Sequence, residues 1–156
     1  MALTIGDKAP TFSLTSDTKE TVSLTDYQGK NVVILFFPLA FTGVCTDELC
    51  TIRDEKSEYE ALDAEVVGIS IDSPFVLEEF KKQQKYNMPL LSDFNREASM
   101  AYDTLYDTFV LGMNKVSKRS AFVVDKKGII KYAEVLESAG DLPNFAAIKE
   151  TLSKLG

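Results

Sequence analysis

Six consecutive apolar residues, Val32-Val-Ile-Leu-Phe-Phe37, run into Pro38. A run that is apolar at every position leaves no face for water. It therefore predicts a strand covered on both sides, and Pro38, which has no N–H to donate, marks its end. A second, mainly apolar run follows at Glu65-Val-Val-Gly-Ile-Ser-Ile71 and predicts a second strand. Between the two, from Thr46 to Leu62, the apolar residues Leu49, Ile52, Tyr59 and Leu62 recur near helical spacing among many charges. That spacing predicts one amphipathic crossover helix joining parallel strands, a βαβ unit.

The remaining elements arrange themselves around this unit. Thr11-Phe-Ser-Leu14 and Thr21-Val-Ser-Leu24 alternate with polar turns and predict a small β-hairpin ahead of the main fold. Ser73 and Pro74 suit an N-cap and first helical residue, and Phe75, Leu77, Phe80 and Tyr86 follow, so a helix is expected to about Lys85. A short helix is expected over Glu97 to Tyr102. Ser120-Ala-Phe-Val-Val-Asp125 and Gly128-Ile-Ile-Lys-Tyr-Ala-Glu-Val135 flank a turn and predict an antiparallel hairpin. An amphipathic helix from Pro143 to Leu155 closes the chain. The fold class is α/β: a central mixed β-sheet flanked by helices on both faces, with an N-terminal β-hairpin, which is the thioredoxin-like arrangement. No internal repeat, low-complexity tract or linker interrupts it, and the 156 residues are expected to form one domain.

Cys45 sits just beyond Pro38, where strand turns into helix. A thiol on a first helical turn feels the positive end of the helix macrodipole, which favours thiolate, the reactive form. There is no histidine in the chain. Cys-His and Ser-His-Asp catalysis and most catalytic zinc sites are thereby removed, and Cys45 and Cys50 at Cys-x4-Cys supply only half a metal tetrahedron, so no metal is expected. A net charge of −7 argues against nucleic acid or an anionic membrane surface as partner. The opening Met1-Ala-Leu-Thr-Ile-Gly-Asp-Lys8 is too polar for a leader or a membrane span, which sets a cytoplasmic location as the expectation. Two cysteines in a reducing compartment are redox-active or merely buried.

The motif that decides between these is Pro38-x3-Thr42-x2-Cys45, with Arg119 following in Lys118-Arg-Ser-Ala-Phe-Val-Val-Asp125. Together with Gly6-Asp-Lys-Ala-Pro-Thr-Phe12 and Pro89-Leu-Leu-Ser-Asp93, these segments stand in the order found in the peroxiredoxins, which the chain resembles nearly end to end. Phe36-Phe-Pro-Leu-Ala-Phe-Thr-Gly43 is similar to the E type, alkyl hydroperoxide reductase-like proteins. Cys50 is similar to the resolving cysteine of the Q type, the bacterioferritin comigratory proteins.

The resemblance implies a thiol peroxidase without metal, haem or flavin. Cys45 attacks hydrogen peroxide or an organic hydroperoxide and becomes a sulfenic acid. A Cys45–Cys50 disulfide then forms, to be reduced by thioredoxin or a glutaredoxin-like protein; monomer and homodimer are both compatible. Lowering a thiol's pKa from about 8.5 to about 6 multiplies its thiolate fraction at neutral pH only about thirtyfold, so ionisation is not the whole catalyst. The rest is expected from donors that grip the breaking O–O unit: the Thr42 hydroxyl, the Cys45 backbone N–H and the Arg119 guanidinium, with Pro38 shaping the turn and shielding the sulfur.

Each residue also has a plainer reading. Cys45 could be a buried structural thiol, Thr42 a helix cap, Pro38 a strand terminator and Arg119 a surface charge. Glu48 and Arg53 could pair within or beside the site, where the resemblance implies a polar network, yet both fall in a charged helix, where solvated side chains are the default, and stay off the catalytic set. Phe36, Phe37, Phe41, Phe94 and Phe109 are read as core, with Phe41 and Phe109 as candidates for a peroxide entrance. For Cys50 the geometry is restrictive. Five helical residues rise about 7.5 Å and turn about 500°, which exceeds the roughly 7 Å a disulfide tolerates between Cα atoms, so bridging requires the helix to unwind. Two other functions stay open: a thioredoxin-like disulfide reductase, which normally needs Cys-x2-Cys, and a redox sensor that oxidises once and changes partner.

Overall fold

The computed structural model describes residues 3–155; Met1, Ala2 and Gly156, the outermost positions of the expected domain, lie outside the described residues. Its frame is one seven-stranded sheet, with the strands in the order Thr21–Ser23 (β2), Ser13–Ser16 (β1), Leu90–Ser92 (β5), Ala64–Ser70 (β4), Asn31–Phe36 (β3), Ser120–Val124 (β6) and Ile130–Val135 (β7). β3 (Asn31–Phe36) is buried at every position because it is central, parallel to β4 (Ala64–Ser70) and antiparallel to β6 (Ser120–Val124). β6 returns antiparallel as β7 (Ile130–Val135). Their turn is built by Asp125, whose Oδ1 accepts from the Lys127 and Ile129 amides at 2.9 Å, and by Gly128 at φ +83, a conformation costly for any residue with a Cβ.

Two expectations are corrected. The hairpin of β1 (Ser13–Ser16) and β2 (Thr21–Ser23) is not separate from the main fold: β1 pairs antiparallel with β5 (Leu90–Ser92), a strand that the sequence reading did not assign. At three residues, β5 is too short to show a period. The crossover is not one helix but two, α1 (Gly43–Asp54) and α2 (Lys56–Ala61), broken at Glu55. No residue between Ile52 and Tyr59 is buried, so no apolar contact holds the segment straight against the sheet.

The other helices fall as expected, within a residue or two. α3 (Pro74–Gln84) has Ser73 as its N-cap, with the Val76 amide donating to Ser73 Oγ at 3.2 Å, and stops at Lys85 in the left-handed conformation. α4 (Glu97–Ala101) is short, and α5 (Phe145–Leu155) ends the described chain. Alternate residues of β3 serve opposite layers. Val33 and Leu35, with Phe37 just beyond the strand, pack with Leu49 and Ile52 of α1, Leu77 and Phe80 of α3, and Ile148 and Leu152 of α5. Val32, Ile34 and Phe36 face Phe12, Leu14, Leu24 and Tyr102 beside α4. Phe41 and Phe94 are not core: they are 48% and 57% exposed. No helix of the described residues is long and apolar enough to cross a membrane.

Leu49, fully buried, seats α1 on the sheet. Leu49→Ala is expected to cost about 2–5 kcal/mol, read as a lower urea midpoint at unchanged m-value. A loss below about 1 kcal/mol would mean that α1 is held from elsewhere.

Candidate active site

Beyond β3 the chain turns through Pro38 to Phe41, and Phe41 takes φ +67, an unfavourable value for an aromatic residue. The loop is fixed by Asp72, at the end of β4: the Ala40 amide donates to Asp72 Oδ2 at 2.8 Å, and Ser70 Oγ donates to the same oxygen at 2.7 Å. α1 then begins, with Thr42 as its extended N-cap residue. Thr42 occupies the cap position without capping. Its hydroxyl donates to the Leu39 carbonyl at 2.8 Å, so its lone pairs stay available. Cys45 is the third residue of the helix, among the first-turn N–H groups that have no partner within the helix.

Antiparallel pairing sets Ser120 opposite Phe36, so Arg119, one residue earlier, arrives just past the end of β3, where α1 starts. Cys45, Glu48 and Arg119 are all buried. Arg119 Nη1 donates to Cys45 Sγ at 3.3 Å and to Glu48 Oε1 at 2.7 Å, while Nη2 donates to the Ala139 carbonyl at 2.9 Å. Arg119 Nε and Glu48 Oε2 have no hydrogen-bond partner among the described residues. A guanidinium has five N–H groups, and three are engaged, both of those on Nη1 among them, which leaves two over, on Nε and Nη2.

Pro38, Thr42, Val44, Cys45, Phe109 and Arg119 are among the residues that line one cavity of about 530 Å3, polar around the thiol and apolar along the turn that carries Val110, Leu111 and Met113. Of the two entrance candidates, Phe109 lines this cavity; Phe41 does not, packing on Phe80 at 5.0 Å. Cys50 lies apart, half-buried against the core, with its Sγ 3.7 Å from Gln84 Oε1 and 3.8 Å from the Tyr86 hydroxyl. Both thiols are free, on one unbroken helix.

Glu48, weighed in the sequence but left off the catalytic set as a solvated side chain, is corrected here to a buried partner of Arg119. The available signal was its spacing: i+3 from Cys45 puts both on one helix face. Asp72 and the Ala139 carbonyl gave none, since both reach the site through the fold. Arg53 does lie outside, paired with Asp54 at 2.9 Å.

Burial lowers the Arg119 pKa, but Glu48 and Cys45 together outweigh it and hold the guanidinium above its ordinary value. The Glu48 carboxyl is pushed up to about 7, because its burial outweighs the pull of Arg119. With a value near 4.5 when unfolded, the folded chain keeps this proton across the window between about 4.5 and about 7. The contribution to stability is therefore full below the lower value and is lost as pH rises through the upper one. Urea unfolding at about pH 5 and about pH 8 is expected to show wild type losing more stability than Glu48→Gln over that interval. Equal losses would contradict the assignment.

The AhpC/TSA family matches residues 5–133. A putative peroxiredoxin of Synechocystis is 39% identical over 143 residues, covering 85% of this chain and 69% of that protein. Alkyl hydroperoxide reductase E of Mycobacterium tuberculosis is 38% identical over 136 residues, covering 85% and 86%. Among solved structures, peroxidoxin BcpB of Mycobacterium tuberculosis superposes with a TM-score of 0.81 at 28% identity, covering 97% of this chain and 95% of its own. A peroxiredoxin-like protein from Aquifex aeolicus, at 23% identity and a TM-score of 0.88 over 100% of this chain and 90% of its own, speaks for the thioredoxin-like fold alone. With its matched segment spanning most of its length and with relatives this similar, the chain belongs to the AhpC/TSA family, the peroxiredoxins, and is a thiol-dependent peroxidase.

Proposed function

We propose that residues 1–156 act as one peroxidase domain in which Cys45 is the attacking thiol and Cys50 resolves it. The observation that carries this reading is the Arg119 Nη1 to Cys45 Sγ contact of 3.3 Å at a cavity open to substrate. The Cys45 thiolate attacks one peroxide oxygen in line with the O–O bond. That bond breaks, the far oxygen leaves with its electron pair and takes up a proton, and the sulfur is oxidised to sulfenic acid. Arg119 keeps its charge, and its spare N–H groups together with the Cys45 amide receive the charge that builds on the oxygens. Thr42, whose proton is committed to Leu39, serves as acceptor for a peroxide O–H rather than as the donor expected from sequence. Glu48 orients Arg119, and Pro38 walls off water.

The apolar side of the cavity gives room for the organic part of an alkyl hydroperoxide as well as for hydrogen peroxide. After the peroxide step, α1 unwinds locally and the Cys50 thiol attacks the Cys45 sulfur. An S–S bond forms, the S–O bond breaks and water leaves. A dithiol protein of the thioredoxin or glutaredoxin kind returns both thiols by exchange, and a reducing compartment such as the cytoplasm suits that cycle.

Mass spectrometry after one equivalent of hydrogen peroxide is expected to find an intrachain disulfide in wild type, a sulfenic acid in Cys50→Ser and no oxidation product in Cys45→Ser. Steady peroxide consumption with a thioredoxin reductant is expected to drop at least tenfold in Cys50→Ser. Full turnover by that variant would remove Cys50 from the cycle.

A further inference from the structure

Resolution by Cys50 requires α1 to open, and what holds it shut around Cys50 is visible. Across an α-helix spanning Gly43–Asp54, the Thr46 carbonyl is the acceptor that the helix assigns to the Cys50 amide. The same carbonyl accepts a second hydrogen bond from outside the helix, from the Tyr86 hydroxyl at 3.3 Å. That hydroxyl also lies 3.8 Å from Cys50 Sγ.

Tyr86 reaches this position because α3 ends in left-handed Lys85, after which the Tyr86 amide donates back to the Lys81 carbonyl and the ring turns inward. The ring is 5% exposed and packs edge-to-face on Phe80, with centroids 5.0 Å apart. Burial, reinforced by the Cys50 contact, holds the phenol above its ordinary pKa, so it stays a donor at any physiological pH. One rigid side chain thus touches both the backbone bond that Cys50 must break and the sulfur that must leave.

We infer that Tyr86 is a latch on the resolving step, a positioning residue that holds Cys50 in the closed helix and sets how long the Cys45 sulfenic acid persists before the disulfide forms. The inference rests on the proposed resolving role of Cys50. The step itself is the one given above, the thiol and the sulfenic acid giving a disulfide and water, so it needs no further oxidant. Tyr86 does not touch the peroxide cavity, and the first step does not depend on it.

The test is Tyr86→Phe, which keeps the ring and removes the hydroxyl. In a single turnover with hydrogen peroxide, quenched by a thiol-alkylating reagent and followed by mass spectrometry, the disulfide is expected to form about three- to tenfold faster than in wild type, as befits one lost hydrogen bond. The rate of the first oxidation is expected to be unchanged, and conversion to sulfinic acid at high peroxide to fall. Hydrogen exchange on the reduced protein is expected to accelerate about three- to tenfold at the Cys50 amide and not in β3. Disulfide formation at the wild-type rate or slower, or exchange accelerated across the whole chain, would overturn the latch and leave the resolving role intact. Absence of any Cys45–Cys50 disulfide in wild type would instead remove the resolving role, and the latch with it.

Discussion

One buried guanidinium ties together the segments that meet at this molecule's buried thiol. Arg119 spans the Cys45 sulfur, the Glu48 carboxyl and the Ala139 carbonyl, three acceptors on two separate segments. Taking such a charge out of water costs several kcal/mol, and its partners offset that cost only when all are in place. The arrangement therefore works as a positional lock. Lysine would preserve the charge, but its compact ammonium lacks the planar fork that meets a sulfur and a carboxylate from one nitrogen and a backbone oxygen from the other.

The sheet makes the lock possible. β3 and β6 are antiparallel neighbours, so the start of β6 lies at the end of β3, and α1 springs from that end after a short turn. Residues 74 positions apart meet without any flexible reach. The turn is braced from β4 by Asp72, so the loop that carries Thr42 is tied to the same rigid layer as the guanidinium. Opposite demands fall on α1. Its first turn must stay wound to present Cys45, yet the same helix must open if Cys50 is to reach that sulfur, and both its Thr46 carbonyl and Cys50 meet the Tyr86 hydroxyl.

Much of this was legible in the residues. The all-apolar run at Val32–Phe37 and the mainly apolar one at Glu65–Ile71 could pack only as covered strands, and Ser73-Pro74 marked a helix start by its own chemistry. β5 was not legible, because three residues carry no periodicity, and the break at Glu55 was not, because continuous helical spacing on either side masks a missing contact. Cys45 was readable from the strand-to-helix turn, whereas pairing it with Arg119 drew on the family resemblance. Glu48 was passed over because a carboxylate in a charged helix is ordinarily solvated; only the arrival of Arg119 from β6 makes its burial tolerable. Thr42 shows the same dependence, since its committed proton follows from the position of Leu39.

The most direct test of this account is the second-order rate constant for oxidation of reduced Cys45 by hydrogen peroxide, measured by stopped flow in wild type and Arg119→Met, with circular dichroism to establish that both are folded. Loss of a preorganised donor at a reacting centre ordinarily costs about 10²–10³ in rate, and a fall of that order is expected here. A folded Arg119→Met protein that reacts within about threefold of wild type would contradict the claim that Arg119 drives the chemistry of this sulfur.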